Sequence, residues 1–179
     1  MRKLKLHELG RATVEEFKQQ EKTKLVLVLD NVRSALNVGS AFRTADSFAL
    51  QKIYLCGITA TPPHREIMKT AIGATESMEW VQVKETVAAV LSLQKEGFTV
   101  LAVEQAEGSI LLQDTDIQID GQYALVFGNE VSGVHESVME VVDGCLEIPQ
   151  FGTKHSLNIS VCLGIIVWEF SRKMKLGTA

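Results

Sequence analysis

Leu25-Val26-Leu27-Val28-Leu29, running straight into Asp30-Asn31-Val32-Arg33-Ser34-Ala35-Leu36-Asn37-Val38-Gly39-Ser40-Ala41-Phe42-Arg43, is the stretch that decides the fold. Five consecutive apolar residues leave no side to face water, the pattern of a strand covered on both faces. The polar stretch after it gives way to a helical pattern over 38–47, and a second strand pattern follows at 52–56. Strand, helix and strand in that order make a βαβ unit, which requires a parallel sheet. The alternation continues, with strands expected at 78–83, 99–103, 123–127 and 145–148 and helices at 86–96, 132–141 and 157–173. A shorter helix is expected over 13–20, opening on the capping-box residues Thr13-Val14-Glu15-Glu16. The fold class is therefore α/β, with one domain over 25–179 and an N-terminal helical extension over 1–24. No repeat, low-complexity tract or Pro-rich or Ser-rich linker marks a second domain.

Composition narrows the function. A net charge of −4 over 179 residues excludes a protein that coats nucleic acid by bulk electrostatics, so any nucleic-acid contact must be local. The local basic patches are Arg2, Lys3 and Lys5, then Lys22 and Lys24, then Arg172, Lys173 and Lys175. Cys56, Cys145 and Cys162 are odd in number and widely spaced, which suits reduced core residues rather than disulfides or metal ligands. His7, His64, His135 and His155 show no metal spacing, so no metal is expected. Charges interrupt the first residues too often for a secretory signal, and no stretch is apolar for long enough to span a bilayer. The cytoplasm is the expected compartment. No glycine-rich phosphate loop follows the first strand, which disfavours a nucleotide-dependent or flavin-dependent enzyme.

Ligands of open α/β sheets gather at the carboxyl ends of strands, and three strand exits here are rich in polar residues and glycine. In the first, Asn37 is expected to cap the helix. Gly39, four residues before Arg43, leaves space beside the guanidinium; otherwise Arg43 is a surface residue paired with Asp46. The second reads Phe127-Gly128-Asn129-Glu130-Val131-Ser132-Gly133. Its Glu130 either complements the dipole of the helix it precedes or faces a cationic partner such as Arg43 or an RNA base. The third runs from Glu147 to Ser160. Ser156 is expected to cap the apolar C-terminal helix, with Asn158 in its first turn, and the free N–H groups there suit a carboxylate or phosphate.

Together these loops resemble the three signature motifs of the SpoU, or TrmH-type, RNA ribose methyltransferases of the SPOUT superfamily. The first motif corresponds to Asn37, Gly39 and Arg43. The second corresponds to Phe127, Gly128, Glu130 and Gly133, and the third to Ile148-Pro149, Gly152 and Ser156-Leu157-Asn158. The order matches and the resemblance covers almost the whole chain. Gln150 departs from the methionine common after the Ile-Pro pair, and the extra N-terminal RNA-binding domain that many relatives carry is not expected here.

The resemblance implies a parallel-sheet α/β knot, its C-terminal segment threaded into a deep trefoil, assembled as a homodimer. It implies S-adenosylmethionine as the cofactor and the ribose 2′-hydroxyl of a transfer or ribosomal RNA as the acceptor. Residue by residue, it places Glu104, Gln105, Phe127, Gly128, Asn129, Gly133, Ile148, Pro149, Gln150, Ser156 and Leu157 at the cofactor. It places Arg43, Asn37, Glu130, Ser156 and Asn158 at the reaction, with Arg43 of one subunit meeting the cofactor held by the other. Arginine is a very poor base, so its expected role is to bind phosphate and stabilise developing alkoxide charge; proton removal by Arg43 itself is the family's alternative. A non-catalytic RNA-binding protein of the same fold is the competing reading, and intact Arg43, Glu130 and Asn158 argue against it.

Overall fold

The computed structural model describes residues 1–176, so the last three positions of the expected 25–179 domain lie outside the described residues. Seven strands form one sheet in which every pairing is parallel: β1 (Thr23–Asp30), β2 (Leu50–Cys56), β3 (Trp80–Val83), β4 (Thr99–Val103), β5 (Ile110–Leu111), β6 (Tyr123–Phe127) and β7 (Gly144–Glu147). Their order is β3-β2-β1-β6-β4-β7-β5, with β1 joined to both β2 and β6. The period of two assigns each strand residue to one face. Leu25, Leu27 and Leu29 enter one core while Val26 and Val28 enter the other, and Leu125 and Val126 divide likewise on β6. All five of those β1 side chains are essentially sealed from water, each contributing about 1.5–3 kcal/mol of burial.

Helices cover both faces. α2 (Ala35–Ser47), α3 (Arg65–Ala71) and α7 (Ile159–Ser171) lie on the leucine side, and α5 (Thr86–Lys95) and α6 (Glu136–Met139) on the valine side. α2 and α7 run side by side in one direction: Asn158 Nδ2 reaches Asn37 Oδ1 at 3.4 Å near their starts, and Phe48 meets Trp168 edge-on near their ends. Before the sheet, α1 (Val14–Gln19) carries the capping box its sequence announces, Thr13 and Glu16 satisfying one another's backbone N–H groups.

Several boundaries differ from the sequence reading. α2 begins at Ala35, two residues before Asn37, and is capped by Ser34, whose hydroxyl accepts from the Asn37 N–H. Asn37 is therefore not the cap. Likewise Asn158, not Ser156, caps α7, accepting from the Ser160 N–H at 2.9 Å. The helix expected over 132–141 shrinks to α6, because Gly133 (φ +69°) and its paired bonds with Asn129 hold the preceding residues in a turn. The strand expected from 78 starts at Trp80, since the Met78 N–H is bound to the Ala74 carbonyl at the end of α4 (Ala74–Ser77). α3, α4 and the two-residue β5 had no counterpart in the sequence reading. The space beside Gly39 does not serve Arg43: a Cβ there would collide with the Ile67 carbonyl and Thr70 Oγ1, so the glycine lets α3 pack onto α2.

Candidate active site

β6, β4 and β7 are neighbours, so their carboxyl ends open side by side onto one cleft of about 630 Å³. Of the expected cofactor residues, Glu104, Gln105, Phe127, Gly128, Asn129, Gly133, Ile148, Gln150, Ser156 and Leu157 line it. Pro149 does not, although its neighbours Ile148 and Gln150 do. Glu130 and Asn158 also line it, whereas Asn37 and Arg43 do not. Val103, Val131, Ser132, Val134, Leu146, Glu147, Ile159 and Cys162 complete the wall. Strand-exit position signals Val103 and Leu146, but nothing local distinguishes Cys162 from other apolar positions of α7.

The wall between β6 and α6 is a tight turn. Asn129 and Gly133 exchange backbone hydrogen bonds of 2.9 Å, and Asn129 Oδ1 accepts from the Val131 N–H at 2.8 Å. Gly128 must be glycine because a Cβ would enter the backbone of Gly133 and Val134. Glu104 closes the far side, its two oxygens accepting from the Gln105 N–H at 2.9 Å and the Val134 N–H at 3.2 Å. Behind the turn is Asp30, a residue sequence reasoning missed. Although buried at the end of β1, it accepts from Asn31 Nδ2 (2.8 Å), Thr86 Oγ1 (2.6 Å) and the His135 N–H (2.9 Å). A carboxylate buried with three donors is satisfied rather than reactive, and here it anchors the turn to β1 and α5.

Glu130 neither complements the helix it precedes nor meets Arg43. It crosses to the start of α2, accepting from the Arg33 N–H at 2.9 Å, the Ser34 N–H at 3.0 Å and Asn37 Nδ2 at 2.9 Å. It therefore complements the N-terminus of α2, not the helix that follows it. Burial pushes its carboxyl up, but the Arg33, Asn37 and Ser34 hydrogen bonds together outweigh this and hold it below the ordinary carboxylate value. Glu130, Asn37 and Asn158 thus form one polar chain joining all three loops.

Arg43 stands on the exposed side of α2 and lines a second cleft, about 650 Å³, walled by α1 and α4 and including Arg11, Thr13, Phe17 and Ser77. No ion pair joins Arg43 to Asp46. Asp46 instead accepts from Ser77 Oγ at 2.5 Å, and the Arg43 guanidinium has no hydrogen-bond partner among the described residues. Half of the basic-patch residues are engaged elsewhere: Arg2 pairs with Glu8, Arg172 and Lys173 pair with Glu169, and Lys22 lies over the Phe17 ring. Burial lifts the thiols of Cys56 to about 12 and Cys162 to about 11, so neither is a nucleophile at neutral pH. Among the described residues no cluster of three or more metal-binding side chains occurs, and no helix is long and apolar enough to cross a membrane.

Residues 24–168 match the model of the SpoU rRNA Methylase family. Over 157 residues the chain is 31% identical to the 23S rRNA (guanosine-2′-O-)-methyltransferase RlmB of Coxiella burnetii, covering 88% of this chain and 62% of that relative. The crystal structure of the Aquifex aeolicus TrmH/SpoU tRNA modifying enzyme superimposes with a TM-score of 0.80 at 25% identity, over 92% of this chain and 84% of that one. The AdoMet-bound rRNA methyltransferase from Sinorhizobium meliloti, 24% identical with a TM-score of 0.77 over 89% of this chain and 60% of that one, shares the fold. A family model spanning most of the chain, on a sheet that aligns with TrmH and with all three motif loops at one end, leaves one conclusion: this chain belongs to the SpoU rRNA Methylase family.

Proposed function

We propose that the protein transfers a methyl group from S-adenosylmethionine to a ribose 2′-hydroxyl of RNA. The observation that carries this reading is the convergence of the three motif loops on one cleft, stitched by the chain from Glu130 through Asn37 to Asn158. The cleft's lining suits that cofactor. Among the described residues its charged side chains are Glu104, Glu130 and Glu147, which favours a cationic ligand, and Leu146, Ile148 and Leu157 offer apolar surface to an adenine. Gly128, Ile148 and Leu157 would hold it, mostly through backbone groups. When bound, the sulfonium supplies an activated methyl group with a good leaving group already attached.

The chain must then align an oxygen with that methyl, so that the O–C bond would form as the S–C bond breaks and the hydroxyl proton would pass to solvent water. Asn37, Ser156 and Asn158 position the ribose, and Glu130 fixes Asn37. Arg43 binds the adjacent phosphate and stabilises charge developing on the 2′-oxygen. Its place outside the cofactor cleft supports delivery from a second subunit. Val161, Ile165 and Trp168 recur at i, i+4 and i+7 as an exposed apolar stripe on α7, and Leu36, Ser40 and Arg43 follow the same spacing on the neighbouring α2. Pairing those faces about a two-fold axis buries the stripe and carries Arg43 across the interface. Residues 25–179 form the methyltransferase domain, threaded as the family's trefoil knot. The extension over 1–24 walls the Arg43 cleft on the RNA side, and the cytoplasm, where RNA is abundant, is the site of action.

Calorimetry with S-adenosylmethionine should show one site per chain, and Gly128→Val should weaken it by distorting the turn around Gly133. Absence of binding at millimolar cofactor contradicts the reading. Sedimentation should give twice the chain mass, and an active monomer at micromolar concentration contradicts the shared site.

A further inference from the structure

Two apolar side chains in and beside the cleft are left unused by the fold: Val131 lines it, and Phe151 stands one residue beyond its lining. Phe151, which directly follows the cleft-lining Gln150, is 96% exposed, and Val131 in the opposite loop is 77% exposed. Of the other phenylalanines, Phe17, Phe42, Phe98, Phe127 and Phe170 are buried and Phe48 packs on Trp168. A fully exposed aromatic ring forgoes one of the largest burial contributions available to any side chain, so its position calls for a ligand. Val131 is not exposed by slack chain. The Asn129–Gly133 turn closes beneath it, and Asn129 Oδ1 fixes its N–H.

The loop bearing Phe151 is tied to the exit of β4 by Gln105 Nε2, which donates to the His155 carbonyl at 2.8 Å. Lys154 and His155, both exposed, follow within four residues of the ring. The cleft wall itself contains no basic side chain, so this loop brings the nearest positive charge in sequence to the cleft mouth. An aromatic face with an adjacent cation is the chemistry that recognises an unpaired nucleobase on its phosphate backbone. A base is attached directly to its ribose. A platform for it must therefore stand at the mouth of whichever cleft receives that ribose.

We propose that Phe151 is the stacking platform for the base of the nucleotide being methylated, with Val131 adding apolar contact and Lys154 holding the adjoining phosphate. This inference rests on the RNA reading above. Stacking tolerates any base, so Phe151 contributes affinity for an extruded nucleotide without selecting its identity.

The test is methyl transfer to total RNA from cells lacking the gene. Phe151→Ala should raise KM for RNA about tenfold, within the range that loss of one stacked base produces, with S-adenosylmethionine affinity, melting temperature and sedimentation unchanged. Phe151→Tyr and Phe151→Trp should restore KM, whereas Phe151→Leu, apolar but without a π face, should not. A wild-type KM in the alanine variant, full recovery by leucine, or dissociation of the subunits by Phe151→Ala overturns the proposal. A wild-type protein that methylates no RNA overturns the function itself and the inference with it, which separates the two failures.

Discussion

Replacing Arg43 by alanine should reduce methyl transfer to RNA by at least about a hundredfold, the scale seen when one preorganised donor to a developing oxyanion is removed. The fold should not notice. The guanidinium is exposed and without a hydrogen-bond partner among the described residues, so the stability change should stay below about 0.5 kcal/mol. Cofactor affinity should also hold, because Arg43 lines the α1 and α4 cleft and not the cofactor cleft. Arg43→Lys should recover little, since a point charge cannot reproduce the planar fork that grips phosphate. Mixing Arg43→Ala with Gly128→Val subunits sharpens the result. Each variant alone should be nearly inactive, but a mixed dimer has one cleft that is intact and faced by an intact arginine. Recovered activity in the mixture supports donation across the interface, and none contradicts it.

Glu130→Ala should have the second largest effect. It frees the Arg33 and Ser34 N–H groups at the start of α2 and releases Asn37, costing about 1 kcal/mol, as loss of a helix cap does. Methyl transfer should fall by more than the stability change explains, because the first turn of α2 positions both Asn37 and Arg43. The carboxyl is held below its ordinary value in the folded protein. Its contribution is therefore full above the unfolded value of about 4.3 and is lost as pH falls through the lower folded value. Denaturant unfolding followed from pH 7 to pH 3 should show wild type losing that increment in the acid range. Glu130→Gln should lack this component of the pH dependence. Parallel curves for the two proteins would contradict the role assigned to Glu130.

The fold was legible because its strongest signals are local. Short apolar runs such as Leu25 to Leu29 and Tyr123 to Phe127, bounded by polar and turn residues, read as doubly covered strands, and Thr13 with Glu16 makes a complete cap within four residues. The misread boundaries share a cause in long-range contacts. Asn37 looks like a cap, but its side chain is taken by Glu130, 93 residues away, which leaves the capping to Ser34. Ser156 lost its expected role to Asn158 two residues later, whose carbonyl oxygen is placed to accept from Ser160. The chain from Glu130 to Asn158 could not be read from spacing, because its members come from three separate loops. Asp30 was passed over for the same reason, since its three donors lie on Asn31, Thr86 and His135. The motif loops converge at one end of the sheet, as their strand-exit positions suggested. Only the packing of α2 against α7 showed how Asn37 meets Asn158 while Arg43 faces outward.

The most direct test of the central claim is to incubate the purified protein with S-adenosylmethionine labelled in its methyl group and total RNA from cells lacking the gene, then digest the RNA with alkali. A methyl group on the 2′-oxygen blocks cleavage of the adjoining phosphodiester, so the account predicts label in alkali-resistant dinucleotides. Label confined to mononucleotides, as base methylation would give, or no label in RNA at all, would contradict it.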